Sequence, residues 1–444
     1  MNSDTNSPKR PLVDRLNTPA AFRAIALLFG AVLLVFAIVP VQHCIRGHSI
    51  KDYIVWYDAG QAVLHGGDVY PRSGTQKFPF MYPPPCAVFL APLSALGQLG
   101  LIIVLVLVNA AAWIASIVLS IRLATEPEQR RHNLLYLIPG VIVIVYVWGN
   151  FLLGQVSLVL LALMLGAFCF LQLRRYISAG VLIALAAAIK AFPAMALVYL
   201  IYRRYWVAAA SFAVALAFLL IVLPAPFRGY TRAKEDLQRW SSGMLFKYDE
   251  NGVAQRAGRG NSWRNQSIWG VANRMLRHIE SDPAFGPHVP VYSNFANLKF
   301  STVNGLILAV GLVLGLVYIS VMPRRANRTP ATDAIEFALL LLLILIFTPL
   351  SFGYLYAWLL YPFTVVVERL LRGDRNALLG WAIASVALLS LTIPFRVTAQ
   401  TYGNTFLATL LLFVGLALEL RQMKGAPALS PPPLAGTAPT KNGA

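Results

Sequence analysis

The chain has 444 residues, 58% of them hydrophobic and 12% charged, and its mean hydropathy is +0.64. A soluble domain carries about twice that charged fraction, so a soluble enzyme is excluded. The net charge is +19, with 37 Lys and Arg against 18 Asp and Glu, which in a soluble protein would suggest nucleic acid. Here no nucleic-acid partner is expected: the charge sits in short loops, as positive-inside topology requires, and in one long loop suited to anionic lipid heads or a phosphate-bearing substrate.

In chain order, residues 1–20 are polar, with Lys9, Arg10 and Arg15, and read as a cytoplasmic tail. The first apolar block, 24–41, shows no small-residue cleavage site and reads as a retained span. A polar segment, 42–85, and an amphipathic stretch near 86–97 follow. Spans are then predicted at 99–121, 134–149 and 156–173, separated by loops with Arg122, Arg130 and Arg131 and closed by Arg174 and Arg175. Between Arg174–Arg175 and Arg203–Arg204 there is too little chain for two full spans. The break Lys190-Ala191-Phe192-Pro193 therefore predicts two short helices buried among the others. Later spans are predicted at 205–224, 302–322, 333–349, 355–368, 377–394 and 404–420, with a long polar loop at 226–300. Residues 422–444 read as a disordered cytoplasmic tail. The expected architecture is all-α: a transmembrane bundle over 21–421 of about twelve spans, two of them short, with amphipathic helices in the first outer loop. Both termini lie inside the plasma (inner) membrane and both long polar segments outside.

Four places could carry chemistry. In the first outer loop, Ser49 to Leu64 reads as a helix ended by Gly66-Gly67. Asp52 shares its apolar face with Val55, Trp56, Ala59 and Val63, while Asp58 lies on the wetter face with Lys51, Ile54, Gln61 and His65. A carboxylate on an apolar face either completes a capping box with Ser49 or serves as a general base. At 148–157, Asn150 and Gln155 flank an apolar turn, where they satisfy loop backbone or bind sugar hydroxyls. Lys190 lies inside an apolar run, where it caps its short helix or holds a lipid phosphate. In the long loop, Arg256, Arg259, Arg264, Arg274 and Arg277 surround Trp263 and Trp269, a set suited to phosphates and sugar rings, or to an ordinary loop with interfacial anchors. Asn265-Gln266-Ser267 also matches a glycosylation sequon.

The six histidines are scattered. Cys44, Cys86 and Cys169 have no metal-type spacing, so neither metal nor cofactor is expected. Cys44 and Cys86 fall on the same side and could pair; two inert thiols are the simpler reading.

These residues resemble glycosyltransferase family 87, membrane enzymes of the GT-C class that use polyprenyl-phosphate sugars. The likeness runs through Asp52-x-x-x-Trp56-Tyr57-x-Ala59, Gly66-Gly67-Asp68-x-Tyr70 and Tyr82-Pro83-Pro84. It continues with Gly154-Gln155, Ala179-Gly180, Ala188-Ile189-Lys190-Ala191-Phe192-Pro193 and Asn265-Gln266-Ser267 before Arg274. The resemblance implies an inverting transfer of a hexose, mannose first, at the outer face to a glycolipid or glycan acceptor. It puts the base at Asp52; Asp58, at what looks like a variable position, is the second choice, and substrate contacts are expected at Trp56, Tyr57, Tyr82, Gln155, Lys190, Arg264, Asn265, Gln266, Arg274 and Tyr354. Many relatives carry a Trp and paired histidines after Ser/Thr-Pro-x-Ser; here Thr348-Pro349-Leu350-Ser351 leads into Phe352-Gly353-Tyr354-Leu355, so Tyr354 or Tyr356 would stand in. The rival readings are a lipid-linked-sugar flippase and a polysaccharide ligase or polymerase.

Overall fold

A computed structural model describes residues 16–70, 79–126, 131–250, 252–253, 259–282, 289–373 and 375–425. Most of both expected tails, and Arg130 and Arg256, lie outside the described residues. The chain is an all-α polytopic membrane protein; among the described residues, the strands are Tyr248–Asp249 (β1) and Gly252–Val253 (β2), an antiparallel pair in the long loop.

Seven helices among the described residues are long and apolar enough to cross a bilayer. They are α1 (Pro19–Ile45), α4 (Gly97–Ala124), α5 (Leu134–Leu153), the run from α9 (Trp206–Ala217) through a π turn to α10 (Ala225–Arg228), α13 (Phe300–Val321), α14 (Pro330–Phe347) and α18 (Asn404–Gly425). Shorter apolar helices fill the bundle: α6 (Ser157–Gln172), α7 (Tyr176–Ile189), α8 (Ala196–Tyr202) behind a 3-10 turn at Phe192–Met195, and α16 (Asn376–Ser390). Helix α14 is buried on all sides from Ala334 to Leu342 and forms the centre of the core. Phe168 of α6 stacks on Phe337 of α14 at 4.3 Å between ring centroids.

The break at Lys190 is real. Lys190 leaves the helix in an extended conformation (φ −140°, ψ 133°), and Pro193, which lacks an N–H, starts the 3-10 turn instead of prolonging α7. Arg174 and Arg204 each take a positive φ, 58° and 57°, in matching turns. The rings of Tyr176 and Tyr205 that follow those turns meet at 5.5 Å, so α7 and α9 start from the same end of the bundle. The segment between them therefore runs inward and back, with Lys190 near its tip.

That end is rich in arginine. Arg203 and Glu336 form a buried ion pair, Arg328 reaches Asp333 at 2.8 Å, and Arg369 reaches Glu419 at 2.7 Å. The opposite end, the loop end, carries α2 (Asp52–Leu64), α3 (Pro84–Ser94), α11 (Tyr230–Trp240), α12 (Ile268–Leu276) and α17 (Arg396–Thr401). The remaining helix, α15 (Leu360–Leu371), follows a 3-10 turn at Gly353–Leu359.

Two local expectations need correction. Helix α2 begins at Asp52, after Lys51 with φ 54°, and no side chain caps it, so there is no Ser49 capping box. Helix α3 is not amphipathic: Pro84, Pro85, Cys86, Ala87, Val88, Leu90, Ala91 and Ser94 are all buried, because α2 covers it closely. A Cβ on Gly60 would fall 2.0 Å from Ser94 Oγ, so only glycine permits that approach. Cys44 and Cys86 are both free thiols.

Candidate active site

The site is built on the turn between α5 and α6. Helix α5 ends at Gly154, whose left-handed φ of 74° reverses the chain. A Cβ there would strike the ring of Tyr53 at 2.8 Å, so sterics and backbone both require glycine. The carbonyls at a helix C-terminus need outside donors. Helix α2 supplies them: Tyr53 OH donates to Phe151 O at 2.8 Å, and Trp56 Nε1 donates to Gly154 O at 2.6 Å. From α4, Asn109 Nδ2 donates to Gln155 O at 3.0 Å. Two aromatic residues of α2 thus fix its first turn beside Gln155.

That places Asp52 at the first helical position, where a helix favours a negative side chain. Its carboxylate is half-buried and accepts a hydrogen bond from Gln155 Nε2. The other end of the same amide, Oε1, accepts from Lys190 Nζ at 2.6 Å. With the ammonium donating on one side and the carboxylate accepting on the other, the amide orientation is determined. Gln155 is fully buried and Lys190 is 8% exposed.

Aromatic rings wall this cluster. Lys190 Nζ lies 5.0 Å from the Tyr82 ring centroid and 4.9 Å from that of Tyr354. Trp56 stacks on Tyr82 at 4.3 Å, and Tyr82 OH lies 3.4 Å from Gln155 Oε1. Tyr354 is presented by the 3-10 turn, whose carbonyl at Tyr354 accepts from Asn150 Nδ2 at 2.8 Å. Asn150 therefore satisfies backbone, with its Oδ1 accepting from Ser157 N at 3.2 Å, whereas Gln155 turns its side chain to the charged pair.

The structure brings together Asp52, Trp56, Tyr82, Gln155, Lys190 and Tyr354. The other named residues stand apart. Asp58 is exposed, and partial desolvation raises its carboxyl above the ordinary range. Tyr57 is half-buried and its carbonyl accepts from Ser94 Oγ at 3.2 Å.

Asn265, Gln266 and Arg274 are buried, and their side chains hydrogen-bond backbone carbonyls. Arg274 donates to six carbonyls, those of Asn261, Ser262, Asn265, Gly270, Gln400 and Thr401. Asn265 Nδ2 donates to Gly260 O and Pro349 O, and its Oδ1 accepts from Ser351 N at 2.9 Å. Gln266 Nε2 donates to Trp263 O and Gln400 O. A sequon asparagine with no exposed surface is closed to modification. Tyr356 is spent in the same way, its OH donating to Gln266 O at 2.7 Å. This framework nevertheless bears on the site, because it fixes Pro349–Ser351, the approach to Tyr354. Arg264 lies on the surface, 4.0 Å from Asp282.

Two residues at the site carried no mark in the sequence: Tyr53 and Asn109. Both sit at buried helical positions and declare themselves only through the carbonyls they reach.

The chain matches the model of glycosyltransferase family 87 over residues 80–349, more than half its length. It belongs to glycosyltransferase family 87. As a family 87 member it is a glycosyltransferase, and its membrane helices agree with that assignment. The matched region holds Tyr82, Gln155, Lys190 and the 259–282 segment, and begins after Asp52. A polyprenol-phosphate-mannose-dependent alpha-(1-2)-phosphatidylinositol pentamannoside mannosyltransferase of Mycolicibacterium smegmatis is 26% identical over 408 residues, 88% of this chain and 84% of that protein. A protein of the same description from Mycobacterium tuberculosis is 28% identical over 295 residues, 64% of each chain. No solved structure matches the chain.

Proposed function

We propose that this family 87 member moves a hexose, mannose first, from a polyprenyl phosphate to a hydroxyl of a glycolipid or glycan acceptor. The observation that carries the reading is the buried Gln155 amide, which joins the Asp52 carboxylate to the Lys190 ammonium beneath Tyr82 and Tyr354. The names of the two mycobacterial relatives favour the donor class.

In the proposed reaction, Asp52 takes the proton from the acceptor hydroxyl as that oxygen attacks the anomeric carbon. Attack comes from the face opposite the phosphate, so the configuration inverts. The bond from the anomeric carbon to the phosphate oxygen breaks, and polyprenyl phosphate leaves with the electron pair. Lys190 faces the growing negative charge on that phosphate, where a fixed cation helps most. Tyr82 and Tyr354 offer ring faces to the sugar, with Trp56 stacked behind Tyr82. The base carries its proton to water on the loop side.

The topology proposed with it treats residues 21–421 as one transmembrane domain of the GT-C class. The seven long helices, α6, α7, the turn with α8, residues 353–371 and α16 make twelve crossings. Arginine-rich turns lie in the cytoplasm and the loop end faces outward across the plasma membrane, with membrane lipids around the bundle.

Purified enzyme incubated with labelled polyprenyl-phosphate mannose and a lipid acceptor tests the reading. Asp52→Asn should lose activity by about 10²-fold or more, the usual worth of a general base, while Asp58→Asn keeps it. Normal turnover by Asp52→Asn defeats the assignment. Translocation without release of polyprenyl phosphate points to a flippase, and dependence on a diphosphate-linked donor points to a ligase.

A further inference from the structure

Away from the Asp52–Lys190 pair, two arginines from distant parts of the chain meet on one indole. Trp263 is 4% exposed. The guanidinium carbon of Arg264 lies 4.4 Å from its ring centroid and that of Arg396 lies 5.8 Å away. Arg264 precedes α12 and Arg396 opens α17. The Arg274 and Gln266 hydrogen bonds to Gln400 and Thr401 join those two segments and so create the meeting point.

The charge there is unbalanced. Asp282 approaches Arg264 only to 4.0 Å, and both side chains are nearly half exposed. Arg396 is exposed and has no carboxylate partner among the described residues. Trp263 Nε1 is buried with no hydrogen-bond partner among the described residues. The cluster thus sets two guanidinium groups against one carboxylate at arm's length, and leaves the indole N–H unpartnered.

Its surroundings are apolar and bare. On the turn around Arg396, Ile393, Phe395 and Val397 are 73%, 61% and 52% exposed. This turn joins α16 to α18 at the loop end, and in the topology proposed above such side chains meet the acyl boundary of a bilayer. Arginine and tryptophan beside exposed apolar residues stand at the depth of lipid phosphates, and guanidinium binds phosphate in a bidentate manner.

We propose that Trp263, Arg264 and Arg396 form a binding site for the phosphate of a membrane lipid, separate from the reaction centre. Its ligand is a lipid phosphate monoester or diester with net negative charge, supplied either by the bulk anionic phospholipid or by a lipid-linked substrate. The site would hold such a lipid at the rim of the enzyme, with its head at the loop end. The proposal rests on the membrane placement of α16 and α18 given above. It depends neither on the identity of the sugar nor on the role of Asp52.

The test uses the full chain in detergent, with lipid retention read by native mass spectrometry. The probes are phosphatidylglycerol, undecaprenyl phosphate and, as the zwitterionic reference, phosphatidylcholine. The unmodified protein should retain an anionic probe roughly tenfold more than phosphatidylcholine, the scale expected for two interfacial arginines. Arg264→Gln combined with Arg396→Gln should remove that preference, and Arg264→Lys with Arg396→Lys should keep much of it. Both positions are exposed and leave the Arg274 bonds untouched; an unchanged unfolding temperature verifies the fold. Preference for phosphatidylglycerol identifies bulk lipid as the source. Preference for undecaprenyl phosphate alone identifies a lipid-linked substrate. An unmodified protein without anion preference, or a double Gln variant that retains it, overturns the proposal. Because no readout requires turnover, a failed transferase assay leaves this test standing.

Discussion

At Gln155 one amide meets a carboxylate with its NH2 group and an ammonium with its oxygen. Because the group is buried and both ends are engaged, its work is to align Asp52 and Lys190. Gln155→Leu keeps the volume and removes both bonds. In the proposed reaction, kcat should fall by about 10²-fold with little change in the donor KM, since the loss falls on the aligned base. A raised KM with unchanged kcat would instead assign Gln155 to substrate binding. Part of this was legible in the sequence. Asp52 on the face of Trp56 and Ala59 stood out by period alone, and Lys190 stood out as a charge in an apolar run. Tyr53 and Asn109 did not, because one buried tyrosine or asparagine resembles any other until its acceptor is known.

Between elements, the long loop shows where sequence reading reaches its limit. Arginines near tryptophans suggested ligand contact for Arg274, yet its guanidinium is enclosed by six carbonyls. Four of those carbonyls lie between 261 and 270 and two at 400 and 401, and no local pattern announces that the two segments meet. Arg274→Lys should therefore not rescue the fold. One ammonium has three donors and lacks the planar fork, and buried acceptors left unpaired cost about 1–3 kcal/mol each. The expected result is a loss of at least about 3 kcal/mol, read as a lower unfolding temperature for both Arg274→Lys and Arg274→Met. Stability equal to the unmodified chain would show that the carbonyls find other donors. The inward-and-back course of α7 and α8 was, by contrast, legible, because chain length between two arginine pairs is a hard geometric limit. The burial of α3 was not: its composition suits a surface helix as well as one covered by α2.

Across the whole molecule, the two loop-end segments are joined very differently. The segment from α2 to α3 meets α11 at two places: the buried Arg228 joins Asp236 at 2.8 Å to Ala62 O at 3.0 Å, and Asp68 accepts from Arg232 at 3.2 Å and from Arg239 at 3.3 Å. The side chains of the Asp68 pairs are partly exposed, and such pairs contribute about 1 kcal/mol or less. The hydrogen bond from Arg232, with help from Arg239, holds the Asp68 carboxyl below the ordinary range. A lowered folded value means that the pair contributes fully above the unfolded value, about pH 4, and fades as pH falls through the folded one. Amide hydrogen exchange in α11, corrected for intrinsic rates, should quicken below about pH 4. In Asp68→Asn it should already be quick at neutral pH, with α12 unaffected in both cases. Equal protection of α11 in Asp68→Asn would show that the buried Arg228–Asp236 pair and Trp240 Nε1, bonded to Met81 O at 3.3 Å, suffice without it.

The six-carbonyl grip of Arg274 welds α12 to the end of α17, just ahead of α18, itself seated in the core. The loop end is thus riveted on the α12 side, and on the other side the buried Arg228, between Asp236 and Ala62 O, rivets α11 to α2.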